Sequence, residues 1–166
     1  MKNKLFIIFF IFFFNSILPK AHGVESFNFD VTEIQILENG NKFIGSKRGT
    51  ITSNDGILIK ADQFEYDKNL NILNAKGNVE ILDKINKYLI TTNDVTYEKE
   101  EEIIYTKGNS RASSSKDNII IYSEDFNYNR KKKIVEAKKN VIIENQVDDY
   151  KIYSNFISYS LLENKI

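Results

Sequence analysis

Residues 59–67 read I-K-A-D-Q-F-E-Y-D, and after a short turn residues 71–79 read N-I-L-N-A-K-G-N-V. This stretch recurs three more times, in whole or in part, at a constant spacing of 31 residues and without a gap. The recurring columns are Ile59, Ile90, Ile121 and Ile152; Phe64, Val95, Phe126 and Ile157; and Tyr66, Tyr97, Tyr128 and Tyr159. A fixed period of this length is typical of stacked supersecondary units, none of which can bury its apolar face alone.

Each unit is predicted to contain two β-strands. Over Leu73–Val79, apolar or small residues alternate with polar ones, which is the period-two pattern of a sheet with one buried face. Ala61 and Phe64 have opposite parity, so a bend at residues 62–63 is needed if both side chains are to point inward. The sequence therefore predicts an all-β array of stacked, bent hairpins.

The segments outside this pattern are predicted to be less regular. Residues 24–35 alternate as a lead-in strand, and residues 33–56 form a degenerate first unit that ends at an Asn-Asp-Gly hairpin signal. Residues 110–118 are polar and are predicted to begin as a strand and then degrade into a loop. Ile166 occupies the column of Leu73, so the sequence stops inside a fourth regular unit, which indicates either an open edge or a fragment of a longer protein.

Residues 1–23 have the features of a secretory signal peptide. Two lysines precede an unbroken apolar run over residues 5–14, and small residues, Ala21 and Gly23, lie at both positions that a signal peptidase reads. The alternative is an uncleaved anchor, but the run is shorter than the roughly 20 residues that a spanning helix needs. The prediction is cleavage near Gly23, followed by one domain over residues 24–166.

Composition narrows the possible functions of this domain. Three of the 23 basic residues and none of the 23 acidic residues lie in the signal peptide, so the mature net charge would be 20 − 23 = −3, which disfavours a nucleic-acid partner. His22 is the only histidine and cysteine is absent, so the usual nucleophile systems and zinc sites cannot be assembled. We predict no enzymatic activity, no cofactor and no metal. Carboxylates such as Asp62 and Asp94 leave acid–base chemistry formally open.

The turn tips carry alternating charge. Residues 67–71 read D-K-N-L-N, residues 98–102 read E-K-E-E-E, and residues 129–133 read N-R-K-K-K. If the units stack in register, the acidic tip lies beside the basic tip. The expected interaction is solvated ion pairing worth under about 1 kcal/mol per pair, rather than a functional basic patch at Arg130 and the lysines that follow it.

The repeated unit resembles that of the OstA-like family. This family comprises the periplasmic lipopolysaccharide-bridge protein and the N-terminal domain of the outer-membrane lipopolysaccharide-assembly protein. Its pattern is Ala-Asp, then apolar-x-Tyr-Asp, then Ala-x-Gly-Asn-Val. The fullest copy here spans residues 61–79, and weaker copies begin at Asn93 and Glu124. The resemblance covers about residues 29–166.

The resemblance implies a twisted, partly open antiparallel β-jellyroll, or β-taco, built from these stacked units of about 31 residues. It implies a periplasmic module for lipopolysaccharide transport and outer-membrane assembly, whose apolar groove holds the acyl chains of lipid A. Open strand edges would pair with other OstA-like domains, including copies of this chain. The implied location is the periplasm, with association at the outer membrane. The predicted groove residues are Ile59, Phe64, Tyr66, Leu73, Val79, Ile90, Val95, Tyr97, Ile104, Ile121, Phe126, Tyr128, Val135, Val141, Ile152, Ile157 and Tyr159.

The sequence departs from the family pattern at two columns. Ser110 takes the place of Val79, which predicts a loose or solvent-lined groove wall there, and Lys139 takes the place of Gly77. Two alternatives stay open: an exported structural β-repeat protein that binds only protein partners, and an N-terminal fragment of the outer-membrane assembly protein.

Overall fold

The computed structural model describes residues 26–114, 116 and 118–162. The predicted signal peptide lies outside these residues. Ten strands form one antiparallel sheet with the order β1-β3-β4-β5-β6-β7-β8-β9-β10, and β2 also pairs with β3. The strands are β1 Phe27–Asp30, β2 Glu33–Leu37, β3 Lys42–Ser53, β4 Ile57–Asp67, β5 Ile72–Asp83, β6 Tyr88–Glu98, β7 Ile103–Ser114, β8 Ile119–Asn129, β9 Ile134–Asn145 and β10 Tyr150–Ser160.

A break in the pairing bends every long strand near its middle. Between β4 and β5 the register runs to Lys60↔Glu80 and resumes at Gln63↔Lys76, so the predicted bend at residues 62–63 is confirmed. Equivalent register shifts interrupt every later pair of strands, and also the pair β3 and β4. A bulge of this kind increases the local twist and turns the strand.

The bends fold the sheet over its own apolar face. The rings of Phe27 in β1 and Tyr97 in β6 lie 5.9 Å apart, and those of Tyr88 in β6 and Tyr128 in β8 lie 6.2 Å apart, although neither pair of strands is adjacent. The folded sheet therefore has two rims. We call the connections after β3, β5, β7 and β9 lip A, and those after β2, β4, β6 and β8 lip B.

The prediction of a single lead-in strand over residues 24–35 is wrong in detail. The described part of this segment forms two strands, β1 and β2. Both pair with β3, as β4 pairs with β5, and they separate at Val31 opposite the register shift in β3. A Cβ on Gly49 would lie 2.8 Å from the carbonyl oxygen of Asp30, so β3 and the segment after β1 approach each other closely there. The first unit is one residue short because the connection after β3 has three residues, whereas the connection after β5 has four.

The polar tract begins as strand and then leaves the sheet, as predicted, because β7 continues to Ser114 and β8 begins at Ile119. The predicted character of its wall is wrong. Ser110 is 2 % exposed, and the wall at this column is therefore neither loose nor lined by solvent. Its hydroxyl lies 3.0 Å from that of Thr92 and 2.7 Å from that of Thr106, which satisfies the hydrogen-bonding groups that burial removes from water.

Gly77 suits the bend between β4 and β5 better than a residue with a side chain would. Its φ is +78°, and an added Cβ would lie 2.7 Å from Oδ2 of Asp62. Lys139 adopts the same left-handed conformation in the matching column, with φ +67°. Because a left-handed conformation is unfavourable for residues with a side chain, Lys139 introduces strain that glycine avoids.

We expect Gly77→Ala to lower the free energy of unfolding by about 1–2 kcal/mol, because the new methyl group adds backbone strain and a clash with Asp62. Urea unfolding followed by circular dichroism measures this change. The exposed neighbour Lys76→Ala is the matched control and is expected to have little effect. Equal stability of the Gly77 variant and the wild type would contradict this account of the bend.

Candidate functional site

The predicted groove residues lie on the inner face of the folded sheet. Sixteen of the seventeen are buried at 0–5 % exposure. Ile152 shares the inner face, since it pairs with the fully buried Ile143, but it is 37 % exposed. The first four residues of β10 are all exposed, so this difference extends over the start of the strand. The alternation pattern therefore identified the inner face correctly, but it did not predict where that face is covered.

The interior is filled by these side chains. A cavity near the C-terminal end, lined by residues such as Tyr88, Val135 and Tyr159, has a volume of only about 10 Å³. That is room for about one water molecule at most. An acyl chain could therefore enter at this point only if the two layers moved apart.

A buried arginine joins the two lips. Arg130, on lip B, has a side chain that is 3 % exposed. Its Nε donates to Oδ2 of Asp83 at 2.9 Å, and its two terminal nitrogens donate to Oδ2 of Asp55 at 2.6 Å and to the backbone carbonyl of Asp55 at 2.9 Å. Asp83 lies at the lip A end of β5, and Asp55 lies in the lip A connection after β3. The guanidinium group thus bridges the rims of the folded sheet.

Two tyrosines of the repeated column complete this network. Tyr128 donates to Oδ2 of Asp83 at 2.9 Å, and Tyr97 donates to Asp55. Lys99, which is largely buried, lies 2.8 Å from Asp55. We call Arg130, Asp55, Asp83, Tyr97 and Tyr128 the clasp.

The hydrogen bonds and charges within the clasp stabilise the ionised carboxylates and the neutral tyrosines. Burial opposes ionisation of Asp55, but hydrogen bonds from Lys99, Ser53 and Tyr97 outweigh it and hold the pKa of the carboxyl well below its usual range. Burial likewise opposes ionisation of Asp83, and hydrogen bonds from Asn86 and Arg130 lower its pKa. Burial, together with the facing carboxylates, raises the pKa of both tyrosine hydroxyls. Two carboxylates and one guanidinium group therefore stay charged, and the tyrosines stay neutral donors.

The role of Arg130 was missed by sequence reasoning, which predicted a solvated turn. The expected pairing of the tips is present, because Arg130 lies 3.2 Å from Glu102 and Lys131 lies 4.0 Å from Glu101. A signal for the clasp existed in the repeat itself, since Lys68, Lys99 and Arg130 share one column. The pattern could not show that this column meets the opposite lip.

Other chemistry is limited among the described residues. They contain no group of three or more acidic, histidine or cysteine side chains placed to hold a metal ion. Within residues 26–114, 116 and 118–162, no helix is long and apolar enough to cross a membrane.

Comparison with known proteins identifies the architecture. The structure is similar to the crystal structure of LptH, the LptA-homologous periplasmic component of the conserved lipopolysaccharide transport device from Pseudomonas aeruginosa. The TM-score is 0.60 with 9 % sequence identity, over 80 % of this chain and 92 % of that chain. The fold is OstA-like. The predicted antiparallel β-taco is thereby confirmed. No family model matches the sequence, and no curated protein matches it.

We expect Arg130→Met to lower the free energy of unfolding by about 3 kcal/mol or more, because it leaves the carboxylate of Asp83 buried without its partner. Chemical denaturation provides the measurement. Lys132→Met, at an exposed position of the same turn, is the control. Arg130→Lys should be intermediate, since an ammonium group lacks the planar fork that reaches both carboxylates. A Met variant as stable as the control would show that the clasp does not hold the fold together.

Stability should also fall in acid. The carboxyls of Asp55 and Asp83 have folded pKa values below the unfolded value of about 3.9, so their contribution is complete above that value and is lost as pH falls further. Thermal unfolding between about pH 7 and pH 2.5 should show a falling Tm below about pH 5. Asp83→Asn should start lower and fall less steeply. Identical pH dependence in both proteins would exclude Asp83 as a source of the effect.

Proposed function

We propose that this protein is a periplasmic lipopolysaccharide-transport component whose folded sheet holds the acyl chains of the lipid. The observation that carries the proposal is the similarity to LptH over 80 % of this chain and 92 % of that one, together with the apolar inner face. Residues 1–23 would direct the chain to the periplasm and be removed there.

The proposed mechanism is binding and release without a chemical step. Acyl chains would replace side-chain contacts on the inner face, and burial of apolar area contributes roughly 25 cal/mol per Å². Apolar contacts are non-directional, so a chain could slide along the groove without a large barrier. Energy for net movement would come from another component of the transport system.

Loading would require the clasp to open. Because the interior is filled and Arg130 bridges the two lips, acyl chains need space that appears only when the lips separate. The wall at Ser110, with its buried hydroxyl cluster, would remain polar inside an otherwise apolar groove. Clasp opening would thus set the free-energy cost of loading.

Open strand edges provide the second part of the proposal. Among the described residues, β10 pairs only with β9, and β1 and β2 pair only with β3. Both ends expose apolar side chains, with Ile36 of β2 at 58 % and Tyr153 of β10 at 70 %. We propose that these edges add strands from other OstA-like domains or from copies of this chain.

One observation favours a second candidate function. The filled interior suits a structural β-repeat protein that binds only protein partners through its edges and uses the inner face as an ordinary core. The two candidates differ in whether lipid ever contacts the inner face.

Photo-crosslinking from inside a living periplasm tests the proposal. A benzophenone amino acid would replace Phe64 or Phe126, which are both 2 % exposed and face inward, and outward Glu65 or Thr96 as controls. We expect lipopolysaccharide adducts from the inner positions only. The Arg130→Met background should increase their yield, because the lips separate more readily.

The folded state of each variant is checked by protease resistance in the same extracts. Lipid adducts at inner and outer positions alike would indicate non-specific contact and refute the groove. Adducts with protein alone, from a protease-resistant variant, would favour the structural candidate.

A further inference from the structure

A basic and apolar surface on lip A adjoins the clasp and lies outside the inner face. The connection after β5 reads Lys84-Ile85-Asn86-Lys87, and Ile85 at its tip is 68 % exposed. Two exposed lysines therefore flank an exposed apolar side chain. Leu82 and Leu89, on the outer face of the adjoining strands, are 36 % and 37 % exposed.

These residues border a cleft of about 590 Å³ that extends towards β7 and β8. Leu82, Leu89 and Ile120 supply its apolar lining, and Lys84, Lys87 and Arg111 supply its positive charge. Arg111 is held over the ring of Tyr122 at 5.9 Å from the centroid, which keeps the guanidinium group on the outer face. The surface consists of these six lining residues and Ile85, and we call it the basic cleft.

The positive charges of the basic cleft are not neutralised by any acidic side chain among the described residues. Lys84, Lys87 and Arg111 form no salt bridge with any residue that the structure describes. The one carboxylate in its lining, Asp83, is committed to Arg130. On lip B, Lys131 lies 4.0 Å from Glu101 and Lys42 lies 2.8 Å from Glu65, whereas Lys132 and Lys133 form no salt bridge with a described residue.

We propose that the basic cleft docks this protein onto the surface of an anionic lipid bilayer. Uncompensated cations next to exposed aliphatic side chains match the two layers of such a surface, namely charged headgroups and the first methylene segments beneath them. Ile85 enters the interface, and Lys84, Lys87 and Arg111 contact phosphate groups. Asp148 and Asp149, in the lip A connection after β9, would be repelled, so the protein docks through the part of lip A near β5 to β7.

Flotation of the purified protein with lipid vesicles tests this proposal. Vesicles of phosphatidylcholine alone are compared with vesicles that also contain phosphatidylglycerol, each at low and at high salt. We expect binding to the anionic vesicles that weakens with salt. Lys84→Gln combined with Lys87→Asn should reduce the partition coefficient by about fivefold for each charge removed.

The repeat supplies a matched control on the opposite lip. Lys132→Gln with Lys133→Asn removes the same charge. Asn is compatible with both turns, because Asn118 occupies the left-handed position that corresponds to Lys87, and Asn71 occupies the one that corresponds to Lys133. Ile85→Asp should also weaken binding, whereas Leu70→Asp, which replaces a side chain 64 % exposed on lip B, should not.

Three outcomes would overturn the proposal. The first is no difference between neutral and anionic vesicles. The second is equal weakening by the lip A and lip B pairs, which would indicate a general effect of net charge. The third is undiminished binding by the Lys84 and Lys87 pair, which would assign the vesicle contact to another surface. Circular dichroism of each variant confirms that the sheet is retained.

Discussion

The bend in the middle of each strand is the constraint on which the rest of this structure depends. A flat sheet of these strands would leave its whole apolar face in water, since no helix or second sheet covers it in the part of the chain that the structure describes. The register shifts turn each strand back, so one half of the sheet covers the other. Gly77, Asn78 and Lys139 adopt left-handed conformations at these bends. The hydrophobic core forms because the bends bring the two halves of the apolar face together.

The clasp constrains the closure of the sheet more narrowly than the apolar core does. Inner-face contacts between Ile, Val and Phe side chains are adaptable and would tolerate small displacements of one layer over the other. A buried guanidinium group that must meet two carboxylates tolerates far less, because any misplacement leaves a charge without a partner. Arg130 therefore fixes which strand ends meet, while the apolar residues supply most of the stability.

The strands, the bend and the inner face could be predicted from the sequence because each of them is encoded by residues that are close together in the chain. A period of two assigns the face of every residue, and a period of 31 aligns the units, as Ile59, Ile90 and Ile121 show. The clasp joins Arg130 to Asp55, which lies 75 residues away in the sequence. Neither the period of two nor the period of 31 predicts a contact between these two residues. The buried hydroxyl of Ser110 was misjudged for a related reason, since one partner, Thr92, lies on the neighbouring strand β6 and could not be identified from composition.

The closure is staggered along the sheet, and this determines the character of its two ends. Arg130 follows β8, yet it meets the end of β5 and the connection after β3, so the two lip A groups that it contacts lie several strands earlier in the sheet. At the start of the described sheet, the lip B half of β2 is exposed at Ile34 and Ile36. At the other end of the described sheet, the lip A half of β10 is exposed at Ile152. Among the described residues, the sheet thus has an exposed lip B half at one end and an exposed lip A half at the other.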